Sequence, residues 1–448
     1  MEWPNVSPTR KRGILSTGEG GVDSVPVRSE LIERVLRANR FAAPWVLVQF
    51  TLAIVIAAKI QWVKLVEEPL FASIAVLVIV GPHVMGVLQR YALNKREIGD
   101  LKEHTQFGEF DKYRLRFLVD DTLNRLGLPK PGPPVYITAD KSLNASALHL
   151  GLGGFFRSVN GVYLNRQILH RLTSAEVQDI IGHELGHFYR YYLLSQRFHG
   201  ITLLLGALSG VLVTQWIGMS SFVSMIALSV CGSAFWYVSG WLIAKNAMSI
   251  EYLCDDFGAQ VHGVVVSING LLKLGADSEM QLAIQQQELS SRRHGNLDAR
   301  DVIAAIEAAI PYGHTSRETL ERSVQDSLQR RSQDRRSLLL YGFLEYAWQA
   351  HDESDIDERV KTIQRLQSIP RLNWESLVER PGHIELDEQR VEQLIGLMEA
   401  HPDEVLFRVP EESGVTDGVH PPIRSRILYL WNNRREIDAV RAQRSVNF

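Results

Sequence analysis

The segment HELGH (183–187) sets two histidines four residues apart, with a glutamate beside the first. On a helix, positions i and i+4 share one face a turn apart, so His183 and His187 are placed to chelate one ion. Glu184 then stands near that ion without having to ligate it. There a carboxylate can take a proton from metal-bound water and pass it to a leaving amine. A third ligand is offered downstream, in SIEYLCDDFGAQVHG (249–263), where Glu251 and Asp255 again share the i, i+4 spacing. Two histidines and Glu251 leave a fourth position open to water, the arrangement of catalytic rather than structural zinc, so one zinc ion is the expected cofactor. Asp255 is expected to accept the other ring N–H of a ligating histidine and fix its tautomer. The plainer alternatives are a solvated helix with incidental histidines and an ordinary acidic helix turn.

These residues need elements to hold them. In LTSAEVQDIIGHELGH, Thr173 and Glu176 fit a capping box, while Val177, Ile180 and Ile181 supply an apolar face, so a packed helix is expected to carry the histidines. Between that helix and Glu251 lies an apolar block, Gly200 to Ala244, without a single Asp, Glu, Lys or Arg. As helix it would extend roughly 65 Å, about twice a hydrocarbon core, which predicts two spans with a break near GMSS (218–221). Gly206 and Gly210 would allow close helix packing. A hairpin of two spans returns the chain to the side it left, so Glu251 can reach a metal held before the hairpin.

Two further apolar runs, 41–63 and 70–88, predict an earlier hairpin. Its outer flanks are basic, with Arg28, Arg34, Arg37 and Arg40 before it and Arg90, Lys95, Arg96 and Lys102 after it. By the positive-inside rule both flanks are cytoplasmic. A buried helical hairpin of a soluble protein is the alternative. Residues 1–40 show no signal-peptide pattern. The two cysteines, Cys231 and Cys254, exclude a disulfide framework and a four-cysteine zinc knuckle. With 48 basic and 51 acidic residues in 448, bulk charge gives no argument for a nucleic-acid partner.

HELGH followed by EYLCD (251–255), with apolar hairpins before and between them, resembles the HtpX-like membrane zinc metalloproteases, relatives of the CAAX prenyl endopeptidases. The resemblance implies His183, His187 and Glu251 as zinc ligands, Glu184 as catalytic base, and Asp255 behind the ligands. VYITADKSLNASALHLG (135–151) is similar to the family's strand and Asn-Ala-Phe-Ala element, with Asn144, Ala145, Ser146 and Ala147 at that place. With GVYLNRQIL (161–169) it reads as a strand pair whose edge could align an extended substrate by main-chain pairing. The alternative is a hairpin that touches no substrate. HPPIRSRILYL (420–430) resembles the family's His-Pro-Pro segment. That makes His420 a candidate donor to a tetrahedral oxyanion and Arg426 a brace for the site, or else a turn and a surface arginine.

The departures are Ser146, where the family has phenylalanine, and Cys254, where it has alanine; Cys254 is either a redox-sensitive thiol or a small buried residue. Residues 264–419 are charged, helical and of unassigned role. The loop 151–161 lacks a nucleotide-binding pattern and reads as a hairpin loop whose Phe155 and Phe156 face the bilayer, and the basic cluster 330–336 as a solvated helix face.

The expected fold is mainly α with a small β-sheet, an integral membrane protein with four transmembrane helices and a gluzincin-like zinc peptidase domain. Its order is a polar cytoplasmic segment (1–40), a transmembrane hairpin (41–90), the first part of the peptidase domain (91–199), a second hairpin (200–244), the third-ligand helix (245–263), the charged region (264–419) and the C-terminal part of the peptidase domain (420–448). The expected activity is zinc-dependent endoproteolysis of membrane or membrane-proximal proteins in quality control. The rivals are a dedicated processing protease and a non-enzymatic zinc-containing scaffold. The expected partners are protein or peptide substrates and the lipid bilayer, with no nucleic acid. The expected location is the bacterial plasma (inner) membrane, with a cytoplasmic active site.

Overall fold

The structure, a computed structural model, describes residues 26–67, 95–138, 143–149, 160–217, 222–294, 365–366, 368–380, 383–409 and 420–446. The expected span 70–88, the break at 218–221, the loop 151–159 with Phe155 and Phe156, and the basic cluster 330–336 lie outside these residues.

The charge-free block forms helix on both sides of residues 218–221: α4 is His199–Ile217 and α5 is Phe222–His262. Helix α5 does not stop where the apolar composition stops. It continues through Lys245 and the charged segment that follows, and it ends at Gly263, whose φ of 103° suits a residue without a Cβ. Its 41 residues make a rod of about 60 Å, so Glu251 lies roughly 10 Å beyond Ala244, the end of the charge-free block, on the same helix.

Helix α1 (Arg28–Lys59) packs against both α4 and α5. The contact with α4 buries two polar side chains that satisfy each other, Gln49 donating to Thr202 at 3.0 Å. At the far end Gln215 accepts from the Gln61 backbone at 3.0 Å and donates to its carbonyl at 3.1 Å. Gly206 and Gly210 are both buried in α4. Helices α1 and α4 are long and apolar enough to cross a membrane, by length and composition.

The polar half of the fold is built on a four-stranded sheet, β1 (Lys95–Glu97), β2 (Val135–Thr138), β3 (Ala145–Leu148) and β4 (Gly161–Asn165), in the order β1-β2-β4-β3. Strands β2 and β4 run parallel; the outer pairs are antiparallel, with Ala145 opposite Leu164 and Leu148 opposite Gly161. Among the described residues β3 is therefore an edge strand. Helix α2 (Lys112–Arg125), N-capped by Asp111, lies against α3 (Ser174–Leu185). Helix α3 starts at the capping box: Glu176 accepts from the Thr173 backbone at 2.8 Å and Thr173 from the Glu176 backbone at 3.4 Å. Its Val177, Ile181 and Leu185 are fully buried.

Beyond Gly263 come α6 (Val264–His294), α7 (Glu388–Ala400), α8 (Ile423–Asn432) and α9 (Arg434–Val446). Helix α6 packs along α3, α7 and α8, so part of the region of unassigned role closes over the histidine helix. One apolar core runs from Leu115 and Ile181 through Ile268 to Trp374, Phe407 and Tyr429. The molecule is mainly helical with a small sheet, as its sequence leads one to expect.

Candidate metal centre and active site

Three glycine contacts bring α3 against α5. A Cβ on Gly258 would lie 2.7 Å from the Asp179 carbonyl oxygen, one on Gly182 would lie 3.0 Å from Val261, and one on Gly186 would lie 3.1 Å from Cys254 Sγ. Helices can approach this closely only where side chains are missing or small. Cys254 is wholly buried in this contact, the place of a small packing residue, and burial pushes its thiol up to about 12.

Helix α3 does not run on unchanged through the second histidine. Residues Gly186–Arg190 form a π-helical turn, closed by the Tyr191 amide donating to the Gly186 carbonyl at 2.8 Å. Such turns widen a helix locally and re-aim its side chains. His187 sits in this turn. Its Nε2 lies 3.2 Å from His183 Nε2 and 3.3 Å from Glu251 Oε1, and His183 Nε2 lies 3.6 Å from Glu251 Oε2. Three donors on a tetrahedral zinc ion with bonds near 2.0–2.1 Å are spaced by about 3.3–3.4 Å. The donor set and its spacing thus fit a metal ion, and His183, His187 and Glu251 form a group that could hold one.

The groups behind this triad are also in place. His183 Nδ1 meets Asp255 Oδ1 at 2.9 Å. Asp255 in turn receives two hydrogen bonds from Arg426 on α8, at 2.7 and 2.5 Å. Burial works against the Asp255 charge, but Arg426 holds the carboxyl below its ordinary range. His420, at the mouth of α8, places Nδ1 3.2 Å from Glu251 Oε2, with more than half of its ring exposed. It stands against the third-ligand candidate rather than apart in a turn. Burial opposes ionisation of Glu251, yet His187, His420 and His183 keep it well below the usual carboxylate range. Glu184 is buried, and that burial raises its carboxyl above the ordinary value.

A cleft of about 640 Å³ joins these residues. It is lined by Asn144 and the edge-strand residues Ala145, Ser146 and Ala147, by His183, Glu184, His187, Glu251 and Asp255, and by His420 and Arg426. Every residue singled out in the sequence for this chemistry is therefore in one cavity. Residues 111–276 match the model of peptidase family M48. The match supports an M48 family metallopeptidase, and metallopeptidases of this family are metal dependent. The M48 segment starts at the cap of α2 and ends inside α6, so it takes in the edge strand, both histidines and Glu251, but not His420 or Arg426. A search of curated proteins and of solved structures found no match.

The sequence reading missed other residues of the cleft. Asp179, one turn before His183 on α3, faces into it, as do Ser267, Gly270, Leu271, Leu274 and Asp277 of α6. At the strand end, His149 stacks on Phe188 of the π turn with centroids 4.2 Å apart, and Arg197 lies over the Tyr192 ring and donates to the Phe188 carbonyl. An acid at position i−4 from a metal-binding histidine was the available signal for Asp179. The others depend on how α6 and the π turn pack.

Proposed function

We propose that the chain is an HtpX-like, membrane-embedded zinc endopeptidase that cuts membrane or membrane-proximal proteins from a cytoplasmic active site, in quality control at a bacterial inner membrane. The observation that carries the reading is the convergence of His183, His187 and Glu251, at tetrahedral donor spacing, with buried Glu184 in a cleft bounded by an edge strand.

Zinc bound by those three residues would supply a Lewis acid for a carbonyl and a means of making water acidic. The protein's own groups do the rest. The outer main-chain edge of β3, unpaired among the described residues, pairs with an extended peptide and lays it across the cleft beside Asn144 to Ala147. Glu184, whose carboxyl burial brings toward neutrality, takes the proton of the attacking water and delivers it to the leaving nitrogen. His420, exposed in the cleft, donates to the developing oxyanion, while Asp255, braced by Arg426, keeps His183 in one tautomer.

Membrane embedding is supported by apolar side chains that lie on the outside. Phe41, Leu47 and Ile54 of α1, Leu204 and Trp216 of α4, and Val223, Ile226, Val230 and Tyr237 of α5 are all exposed. Those of α5 are spaced by three, four and seven residues, one stripe along the rod, which water would disfavour and lipid would accept. With the run 70–88, this favours four spans.

The test is cleavage of an unfolded protein by the detergent-purified chain, with and without zinc, beside Glu184→Gln carrying equal zinc. Cleavage by the parent alone supports the reading. Stoichiometric zinc with no cleavage by either would favour the scaffold. Release of the native chain from membranes by alkaline carbonate would overturn the embedding.

A further inference from the structure

The part of the cleft lined by Asp179 and α6 has a chemistry of its own. Asp179 lies one helical turn before His183 and in line with it, its carboxylate accepting a hydrogen bond from Ser267 of α6. The charges that bear on it are the like charges of Asp255 and Glu176 and the ring of His183. Asp255 is engaged by Arg426 and Glu176 by Lys273, so among the described residues no lysine or arginine is paired with Asp179. Beside Ser267 stands Gly270, where an added Cβ would meet nothing within 4 Å. The cleft therefore has unfilled room next to an acid without a counter-charge. Leu271, buried, and Leu274, partly buried, line the same cleft and give it apolar surface beside Gly270.

We propose that Asp179, with Ser267, Gly270, Leu271 and Leu274, forms a subsite that selects a lysine or arginine side chain close to the scissile bond. This rests on the peptidase reading given above. The long methylene stem of either residue would lie over Leu271 and Leu274, its charged head would reach the Asp179 carboxylate, and Gly270 leaves the passage open. A half-buried carboxylate that lacks a cation is a cost to the fold, and its desolvation pushes this one up to about 7. A cationic substrate side chain supplies the missing partner. The substrate class follows from where the site stands. Glu251 lies only roughly 10 Å beyond the apolar part of α5, and the cytoplasmic flanks of membrane spans carry an excess of lysine and arginine. The subsite thus fits the basic segments that border transmembrane helices.

The test uses the full-length, zinc-loaded chain in detergent on a denatured protein, with every cut mapped by mass spectrometry. It is followed by peptides that carry lysine, arginine, norleucine or glutamate at the indicated position. Lysine and arginine are expected at one fixed position from the cut. A charge-assisted hydrogen bond of this kind corresponds to about a tenfold or greater preference in kcat/KM over norleucine. Asp179→Asn should bring the lysine-to-norleucine ratio close to one, and Gly270→Leu should shift that position to small residues. Cuts indifferent to basic residues, or an unchanged ratio in Asp179→Asn, would sink the subsite and leave the peptidase standing. Should Asp179→Asn fail to fold, the cut map and Gly270→Leu still decide. If the parent cuts nothing, the peptidase reading falls and this one with it.

Discussion

Arg426 reaches Asp255 through two guanidinium N–H groups, at 2.7 and 2.5 Å, and Asp255 in turn meets Nδ1 of His183 at 2.9 Å. The three residues come from α8, α5 and α3, so one relay ties α8 to the metal group. Both members of the ion pair are largely buried. Removal of one partner of a buried pair leaves an uncompensated charge and costs about 3–5 kcal/mol. Loss of the group that orients a metal-binding histidine weakens metal binding by about 10–100-fold. Arg426→Gln should therefore lower the unfolding midpoint and release zinc to a competing chelator at a lower concentration. Arg426→Lys restores the charge but not the paired geometry, and should recover stability more fully than zinc affinity. Equal chelator curves for all three proteins would remove the relay from the account.

The spacing of α3 and α5 rests on glycine. At Gly258 a methyl group would press 2.7 Å from the backbone oxygen of Asp179 and 3.3 Å from the His183 nitrogen, and backbone does not yield as a side chain does. Gly258→Ala is expected to cost about 1–3 kcal/mol, as overpacking does, and to reduce bound zinc because Glu251 is carried away from the histidines. Gly270→Ala is the contrasting change. It is helical with nothing within 4 Å, so it should gain roughly 0.5–1 kcal/mol. Thermal melts with zinc analysis separate the two.

Much of this site is legible in the sequence because its signals are local. The capping box at Thr173 and Glu176, the i, i+4 pairs, and the short strand that follows residue 144 each need only neighbouring residues. The charge-free block announces its helices by composition. The rest depends on contacts between distant segments. The π turn at His187 has the same residue spacing as ordinary helix. The continuity of α5 past Ala244 is hidden because composition changes while backbone does not. The ion pair between Arg28 and Asp256 joins residues 228 positions apart. Asp179 stands at i−4 from His183 in the sequence, but its meeting with Ser267 depends on the docking of α6.

Cys254 beside the metal group is set to be inert. Its side chain is fully buried against Gly186, and its thiol is pushed up to about 12. Alkylation needs both access and thiolate, and at pH 8 the folded protein supplies little of either. In a Cys231→Ser background, iodoacetamide should leave Cys254 unmodified while the chain is folded and modify it fully after denaturation. Rapid labelling of the native protein would instead make it a reactive thiol next to the site.

Asp179 should be a residue that the fold carries at a loss. Its carboxyl is held near 7 when folded, mainly by burial, against an ordinary value near 3.9 when unfolded. Between these values the folded chain keeps a proton that the unfolded chain releases. Stability therefore falls as pH rises from about 4 to about 7, and the penalty is complete above that. The groups that face it are Ser267 on α6, Asp255 on α5, and Glu176 and His183 on its own helix. Asn imitates the protonated acid at every pH. In metal-free protein, Asp179→Asn and the parent should melt together near pH 4, and the variant should melt progressively higher up to pH 7. The same substitution is the one expected to abolish selection of basic side chains, which would make the lost stability the consequence of a binding group kept without a partner until substrate arrives. Parallel melting curves across that range would show that Asp179 is ionised and solvated in the folded chain, and the stability argument for its role would fail.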